Sequence, residues 1–187
     1  MSKEDPTEAK ENVDLEDSGY YLLMDYITED SVKDIIKWIL KKNLSSKSKL
    51  KELTILIHSY GGNASVAFAL IDVIRGSSIP VRTVGIGSIC SAGLLIFMSG
   101  AKRTLTPNTS VLSHQWASGY FGKEHELLAQ AKEYEMITDR VMRHYEKCTG
   151  LSKKDIRKYL LPPEDKWLSA NEALKLGLCD EVKEMKG

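Results

Sequence analysis

Cysteine is scarce in this chain, and the spacing of the few present excludes two common kinds of site. Cys90, Cys148 and Cys179 lie far apart, so no pair forms the Cys-x-x-Cys motif of zinc and redox sites. A small, odd number of cysteines is typical of a reducing compartment. A chain of 187 residues can bury a hydrophobic core without disulfide staples. We therefore expect neither a metal site nor a cofactor.

Long apolar runs and an excess of either charge are also missing. No stretch of about 18 apolar residues is present, which argues against a membrane-spanning helix, and the acidic, polar start is unlike a signal peptide. The 26 basic residues balance 26 acidic ones, whereas a general nucleic-acid binder is normally basic. The sequence therefore predicts a cytoplasmic protein that binds neither membranes nor nucleic acid.

Acidic residues dominate the first 17 positions, which hold seven carboxylates, two lysines and few apolar side chains. Such a segment cannot bury enough apolar surface to offset the entropy lost on ordering. We predict that residues 1–18 form a disordered acidic tail and that residues 19–187 form one domain. Low hydrophobicity favours a simple solvated tail over an interaction arm.

Apolar runs typical of strands alternate with stretches of helical periodicity through the rest of the chain. The predicted strands cover residues 20–23, 53–57, 81–86 and 111–113. The first predicted helix follows Thr28. The other predicted helices cover residues 66–74, 91–98 and 123–147, with two short ones near 152–159 and 170–176. Residues 41–49 are predicted to be a loop. This alternation indicates a layered α/β fold built from βαβ units.

Three loops, each after a predicted strand, bring together groups that can act on a carbonyl carbon. In open α/β sheets, ligands bind beyond the carboxyl ends of the strands. Ser91 lies at a turn that enters a helix, where its hydroxyl can stand clear of the sheet, and His114 can serve as the base that such a hydroxyl needs. The N–H groups of Gly62 and Ala92 can stabilise an oxyanion.

The pattern alone leaves other interpretations open. A glycine-rich turn before a helix also suits phosphate binding, and a histidine at a strand end is more often a packed residue than a base. Ser59 and Ser88 are hydroxyls in the same loops, and periodicity does not choose among the three serines.

From about Tyr20 to Val182 the sequence resembles the ClpP family of serine peptidases. Residues 55–62 are similar to the family's Gly-Gly loop, residues 83–93 to its nucleophile segment, residues 100–115 to its histidine segment and residues 164–180 to its C-terminal motif. The resemblance implies Ser91 as nucleophile, His114 as base and Asp165 as the acid that orients the imidazole, with Gly62 and Ala92 as the oxyanion hole. Without the family resemblance, Asp165 would be interpreted as a turn residue.

The family's other properties follow as expectations. The resemblance implies stacked ββα units of the ClpP/crotonase type with a protruding handle helix, which assemble into a homo-oligomeric heptameric ring or two stacked rings. The chamber would cleave unfolded polypeptides and small peptides, fed by an AAA+ unfoldase. The substrate backbone would lie along residues equivalent to the family's glycine loop and handle: Gly61, Ser118, Gly119, Tyr120 and Phe121.

Several positions depart from the family pattern. His58 and Tyr60 replace a usual asparagine and proline, Trp116 replaces a proline, and Cys90 stands where a small residue such as alanine is usual. We interpret Cys90 as a buried hydrophobe. The short acidic start lacks the apolar axial loop that serves the ring entrance and ATPase docking, and similarly shortened ClpP-like proteins occur in phages.

Three alternative functions remain. The chain could be a catalytically weak or inactive ring subunit, although such subunits commonly lose a triad member. A crotonase-type acyl-CoA enzyme would use the paired N–H groups to hold a thioester enolate and would need a carboxylate beside them. A serine–lysine peptidase of the same broad fold would need a lysine base and usually a membrane anchor.

Overall fold

The computed structural model describes residues 14–45 and 49–185. Its strands form one seven-stranded sheet in the order β1-β2-β3-β4-β7, with β5 paired to β3 and β6 paired to β5. The strands are β1 (Tyr20–Met24), β2 (Leu53–Ser59), β3 (Val81–Cys90), β4 (Lys102–Leu105), β5 (Ser110–Ser113), β6 (Lys166–Ser169) and β7 (Glu181–Val182). The helices are α1 (Glu29–Leu44), α2 (Ala64–Gly76), α3 (Ala92–Met98), α4 (Glu124–Thr149), α5 (Lys153–Tyr159) and α6 (Ala170–Lys175). The predicted α/β class is confirmed.

Strand β3 is the centre of the sheet, and it pairs with different neighbours along its length. It pairs in parallel with β2 on one side. On its other side, residues 82–85 pair with β4 and residues 88–90 pair with β5. The chain changes partner at Gly87, whose φ of 61° is unfavourable for a side chain. A Cβ atom there would also lie 2.6 Å from His58 Nδ1. The bend therefore directs the end of β3 towards β5.

Helix α3 is the most deeply enclosed helix in the described part of the chain. All seven of its residues are buried, and it contacts β2, β3, α2, α4 and β5. Burial of a helix on every side is what an apolar sequence such as Ala-Gly-Leu-Leu-Ile-Phe-Met predicts. Because α3 follows β3 after a single residue, the core fixes the position of that residue.

Helix α4 is only half embedded in the domain. None of its residues from Glu124 to Met136 is buried, whereas burial begins at Ile137. The helix ends at Gly150, which adopts the left-handed conformation that closes many helices. The exposed half of α4 matches the expected handle helix.

Four details differ from the sequence-based predictions. Helix α1 continues to Leu44, because the lysines near position 41 favour the last turn of a helix, so residues 41–44 of the predicted loop are helical. Strand β3 extends to Cys90, and β4, β6 and β7 were not predicted because short strands give little alternation. Residues 14–18, predicted to belong to the disordered tail, form a turn. The indole of Trp38, on α1, donates a hydrogen bond to the Glu16 carbonyl of this turn at 3.0 Å. Residues 1–13 lie outside the described residues.

No helix among residues 14–45 and 49–185 is long and apolar enough to cross a membrane.

Candidate active site

Ser91 occupies a strained position between β3 and α3. Ser91 has a φ of 52° and a ψ of −121°. It is the only non-glycine residue with a positive φ in the described part of the chain. Such strain costs of order 1–3 kcal/mol and clusters at functional sites. The position is fixed on both sides, because its N–H donates to the Leu112 carbonyl at 3.0 Å and its own carbonyl accepts from Leu94 and Leu95. The Ser91 side chain does not cap α3, so the hydroxyl is available for chemistry.

The loop between β2 and α2 packs directly against Ser91. A Cβ atom on Gly61, whose φ is 99°, would lie 2.8 Å from Ser91 Cβ and 3.3 Å from the nitrogen of Ala92. The Gly61 carbonyl accepts from the Ile27 N–H at 2.8 Å, and the Ile27 carbonyl accepts from the Asn63 N–H at 2.9 Å. The loop is thus held by its backbone and approaches Ser91 more closely than a side chain would permit.

Two backbone donors beside Ser91 are unengaged. The N–H groups of Gly62 and Ala92 donate to no other group among the described residues, and both residues line the cavity that Ser91 lines. Ala92 begins α3, so its N–H has no partner within the helix. Two fixed donors beside a hydroxyl can stabilise negative charge on a carbonyl oxygen.

A cavity of about 400 Å³ joins Ser91 to His114. Strand β5 pairs with the last residues of β3, with Leu112 opposite Cys90, and this pairing brings the chain after β5 to the Ser91 turn. His114 is half-buried there. Its imidazole makes no hydrogen bond to the described residues, and neither does the Ser91 hydroxyl, so the nucleophile and base line one cavity without direct contact.

Asp165 precedes β6 and is exposed to solvent. It does not line the cavity, and its carboxylate makes no hydrogen bond to the described residues. The antiparallel ladder of β5 and β6 nevertheless pairs Ser113 with Lys166, so the next pair in the same register would be His114 and Asp165. Residues opposed in an antiparallel pair have Cα atoms about 4.5–5.5 Å apart, which is within side-chain reach.

Some of the residues predicted to bind substrate lie at the cavity and others do not. Ser118 lines the cavity, and its hydroxyl is 2.9 Å from that of Tyr134. Gly61 supports the site from behind Ser91. Gly119, Tyr120 and Phe121 do not line the cavity, and the Phe121 side chain is 100% exposed, because this segment leads out to the exposed half of α4.

Sequence reasoning missed the part of the cavity wall that α4 supplies. One face of this helix lines the cavity at positions separated by four, three, four and four residues: Gln130, Tyr134, Ile137, Val141 and Tyr145. This helical spacing was a detectable signal, but it did not indicate which element the face would meet. Trp116 also lines the cavity, where its indole donates to Thr138 Oγ1 at 3.0 Å.

The competing serines and the neighbouring cysteine have other roles. Ser59 is buried, and its Oγ accepts from the Gly61 N–H at 3.1 Å. The Ser88 N–H donates to His58 Nδ1 at 3.0 Å, and neither serine lines the cavity. Burial raises the pKa of the Cys90 thiol although the Leu112 backbone lowers it, which keeps the thiol protonated and supports its interpretation as a hydrophobe.

Comparison with known proteins identifies the family. The Clp protease family model matches residues 9–186. The ATP-dependent Clp protease proteolytic subunit 2 of Treponema denticola is 32% identical over 163 residues, covering 86% of this chain and 80% of that protein. The ATP-dependent Clp protease proteolytic subunit of Deinococcus radiodurans is 32% identical over 141 residues, covering 74% of this chain and 68% of that protein. A solved structure of a ClpP1 mutant from Listeria monocytogenes matches with a TM-score of 0.79 and 30% identity, covering 92% of this chain and 95% of that one.

The fold and these matches define a serine-type protease with the α/β fold of ClpP. The chain belongs to the Clp protease family. The predicted resemblance, the fold class and the assignment to the serine-type protease class of hydrolases are therefore confirmed.

Proposed function

We propose that this chain is a proteolytic subunit that hydrolyses peptide bonds with Ser91 as nucleophile, His114 as general base and Asp165 as the orienting acid. The observation that carries the proposal is the shared cavity, in which a strained serine, a histidine and two unengaged backbone N–H groups lie together. Strain at Ser91 costs folding energy and has no other evident use, which supports a catalytic role.

In the proposed mechanism, His114 takes the proton from the Ser91 hydroxyl as the oxygen attacks the substrate carbonyl carbon. The negative charge that develops on the carbonyl oxygen is stabilised by the N–H groups of Gly62 and Ala92, and each such donor is worth about two to three orders of magnitude in rate. The imidazolium then gives its proton to the leaving amine. Water hydrolyses the resulting ester by the same steps in reverse, which frees Ser91.

Asp165 would orient the imidazole of His114 and stabilise its charged form. The register of β5 and β6 supports this role, although the carboxylate is exposed. Closing the pair requires the side chains to turn towards each other, a change that a substrate or a neighbouring subunit can favour. Apo geometry in catalytic sites is often loose before the substrate arrives.

We further propose that the chain assembles into a homo-oligomeric ring, heptameric and stacked in pairs, that encloses the active sites in the cytoplasm. The two curated relatives are named as proteolytic subunits of ATP-dependent proteases, which supports an AAA+ unfoldase as the partner that delivers unfolded chains. The exposed apolar side chains around the handle offer a surface for another copy: Tyr120, Phe121, Leu127, Leu128 and Met136.

One observation favours the alternative that an isolated chain is catalytically weak. No hydrogen bond joins Ser91, His114 and Asp165 within the described single chain, so the triad is not closed there. Under this alternative, hydrolysis would depend on assembly rather than on the chain alone.

The test combines activity with size. Light scattering after size-exclusion chromatography gives the mass of each species, and each is assayed with a short fluorogenic peptide. We expect hydrolysis by the large species that is lost in Ser91→Ala and retained in Ser88→Ala, a matched serine outside the cavity. Equal activity in wild type and Ser91→Ala would remove the nucleophile assignment, and a large inactive species would favour the structural subunit.

A further inference from the structure

A second cavity, of about 390 Å³, lies between α2 and α4 and shares no lining residue with the active-site cavity. Four cationic side chains line it, against a single carboxylate from Asp72. The cations are Arg75, Arg140, Arg143 and Lys147. In a chain with no net charge, this concentration of positive charge is a local feature that the proposed peptide hydrolysis does not use.

The cations converge because of helical spacing. The three on α4 are separated by three and four residues, which places them on one face of the helix, and Arg75 lies in the last turn of α2 opposite that face. None of the four forms a salt bridge with a carboxylate in the described residues. Their charge is therefore available to a ligand.

Arg75 is held in place by the floor of the cavity. Its Nη2 lies 2.9 Å from His144 Nδ1 and 3.5 Å from Cys148 Sγ. Because a guanidinium can only donate, His144 Nδ1 accepts, and its Nε2 donates to the Leu95 carbonyl at 2.8 Å. His144 is 2% exposed, and burial with the nearby Arg75 charge lowers its pKa to about 4. The histidine is thus neutral, and its contact with Nη2 fixes the position of the Arg75 guanidinium.

We propose that this cavity binds a phosphoryl group. Guanidinium groups match the oxygen geometry of phosphate and form strong, charge-assisted hydrogen bonds to it. A phosphate dianion balances the excess of positive charge better than a single carboxylate does. The same chemistry is offered by a free phosphate compound and by a phosphorylated side chain of a protein.

The test is a calorimetric titration of the intact protein with sodium pyrophosphate at constant ionic strength and neutral pH, repeated with a phosphoserine peptide and its unphosphorylated form. We expect saturable binding of a phosphorylated probe. Arg143→Ala should weaken it about tenfold, the value of one charge-assisted hydrogen bond. Asp72→Asn should strengthen it severalfold, because a repelling carboxylate is removed. Lys132→Ala, a cation on the same helix outside the cavity, should leave the affinity unchanged.

The opposite directions of the Arg143 and Asp72 variants separate a true site from loss of folding. A phosphopeptide that binds more tightly than pyrophosphate would identify a phosphorylated protein as the ligand, and the reverse order would identify a free phosphate compound. The proposal is overturned if neither probe saturates, or if Lys132→Ala weakens binding as much as Arg143→Ala.

Discussion

Gly61→Ala provides the sharpest perturbation of the active site that the backbone allows. The new Cβ atom would lie 2.8 Å from Ser91 Cβ and 3.0 Å from the Cys90 carbonyl oxygen, so either the loop or the Ser91 turn must move. The φ of 99° adds a backbone cost of about 1–2 kcal/mol for any residue with a side chain. If the movement removes one oxyanion donor, kcat/KM should fall by about two to three orders of magnitude.

Two other glycines separate these effects. Gly150 has a φ of 72° but open space around a new Cβ atom, and Gly76 has open space and no positive φ. Gly150→Ala should therefore lose about 1–2 kcal/mol of unfolding free energy and keep its peptidase activity. Gly76→Ala should keep both its unfolding free energy and its activity. Urea denaturation measures the stability and peptide hydrolysis the activity. If Gly61→Ala keeps activity within about threefold of wild type while Gly150→Ala is destabilised, the inferred role of the loop is wrong.

Three further predictions follow from individual contacts. Asp165→Asn should lower kcat by about 10²–10⁴-fold with little change in urea midpoint, since the side chain is exposed; unchanged kcat would remove Asp165 from the mechanism. Tyr145→Phe removes the hydroxyl that lies 2.8 Å from Ser113 Oγ and should cost about 1 kcal/mol of unfolding free energy, a value that denaturant titration can contradict. Burial lowers the pKa of His144 from 6.5 to about 4. Between these two pH values the unfolded chain binds a proton at His144 that the folded chain does not bind. The free energy of unfolding should therefore fall by about 2–3 kcal/mol as the pH drops from about 6.5 to 4. His144→Gln should lose less over that interval, and an equal loss in both proteins would assign the pH dependence elsewhere.

Local signals in the sequence predicted the central part of the fold. The continuous apolar run of β2 and the helical spacing in α1 and α2 are each decided by nearby residues. Strands β4, β6 and β7 were missed, because each is short, begins with a charged residue and depends on a distant partner. Helix α1 was predicted to end too early because lysines suit a loop and a last helical turn equally well.

In the candidate active site too, local features could be predicted from the sequence, whereas contacts between distant segments could not. The glycine-rich loops and the turn before α3 indicated where a nucleophile and two backbone donors could lie, and the family resemblance selected Ser91 among the three serines. The position of Asp165 relative to His114 follows from the register of β5 and β6, which joins segments about fifty residues apart and leaves no periodic trace. The α4 positions that line the active-site cavity and the basic cavity do show helical spacing, but that spacing does not indicate which element each face of the helix meets.

Covalent labelling tests the central claim most directly. A fluorophosphonate reacts with a serine hydroxyl only where a base activates it and an oxyanion hole receives the phosphoryl oxygen. Peptide mapping by mass spectrometry after labelling of the native protein should find the adduct on Ser91, with no adduct in Ser91→Ala and much slower labelling in His114→Ala. An adduct on Ser59 or Ser88, or no serine adduct on an assembled and folded protein, would contradict the proposed active site.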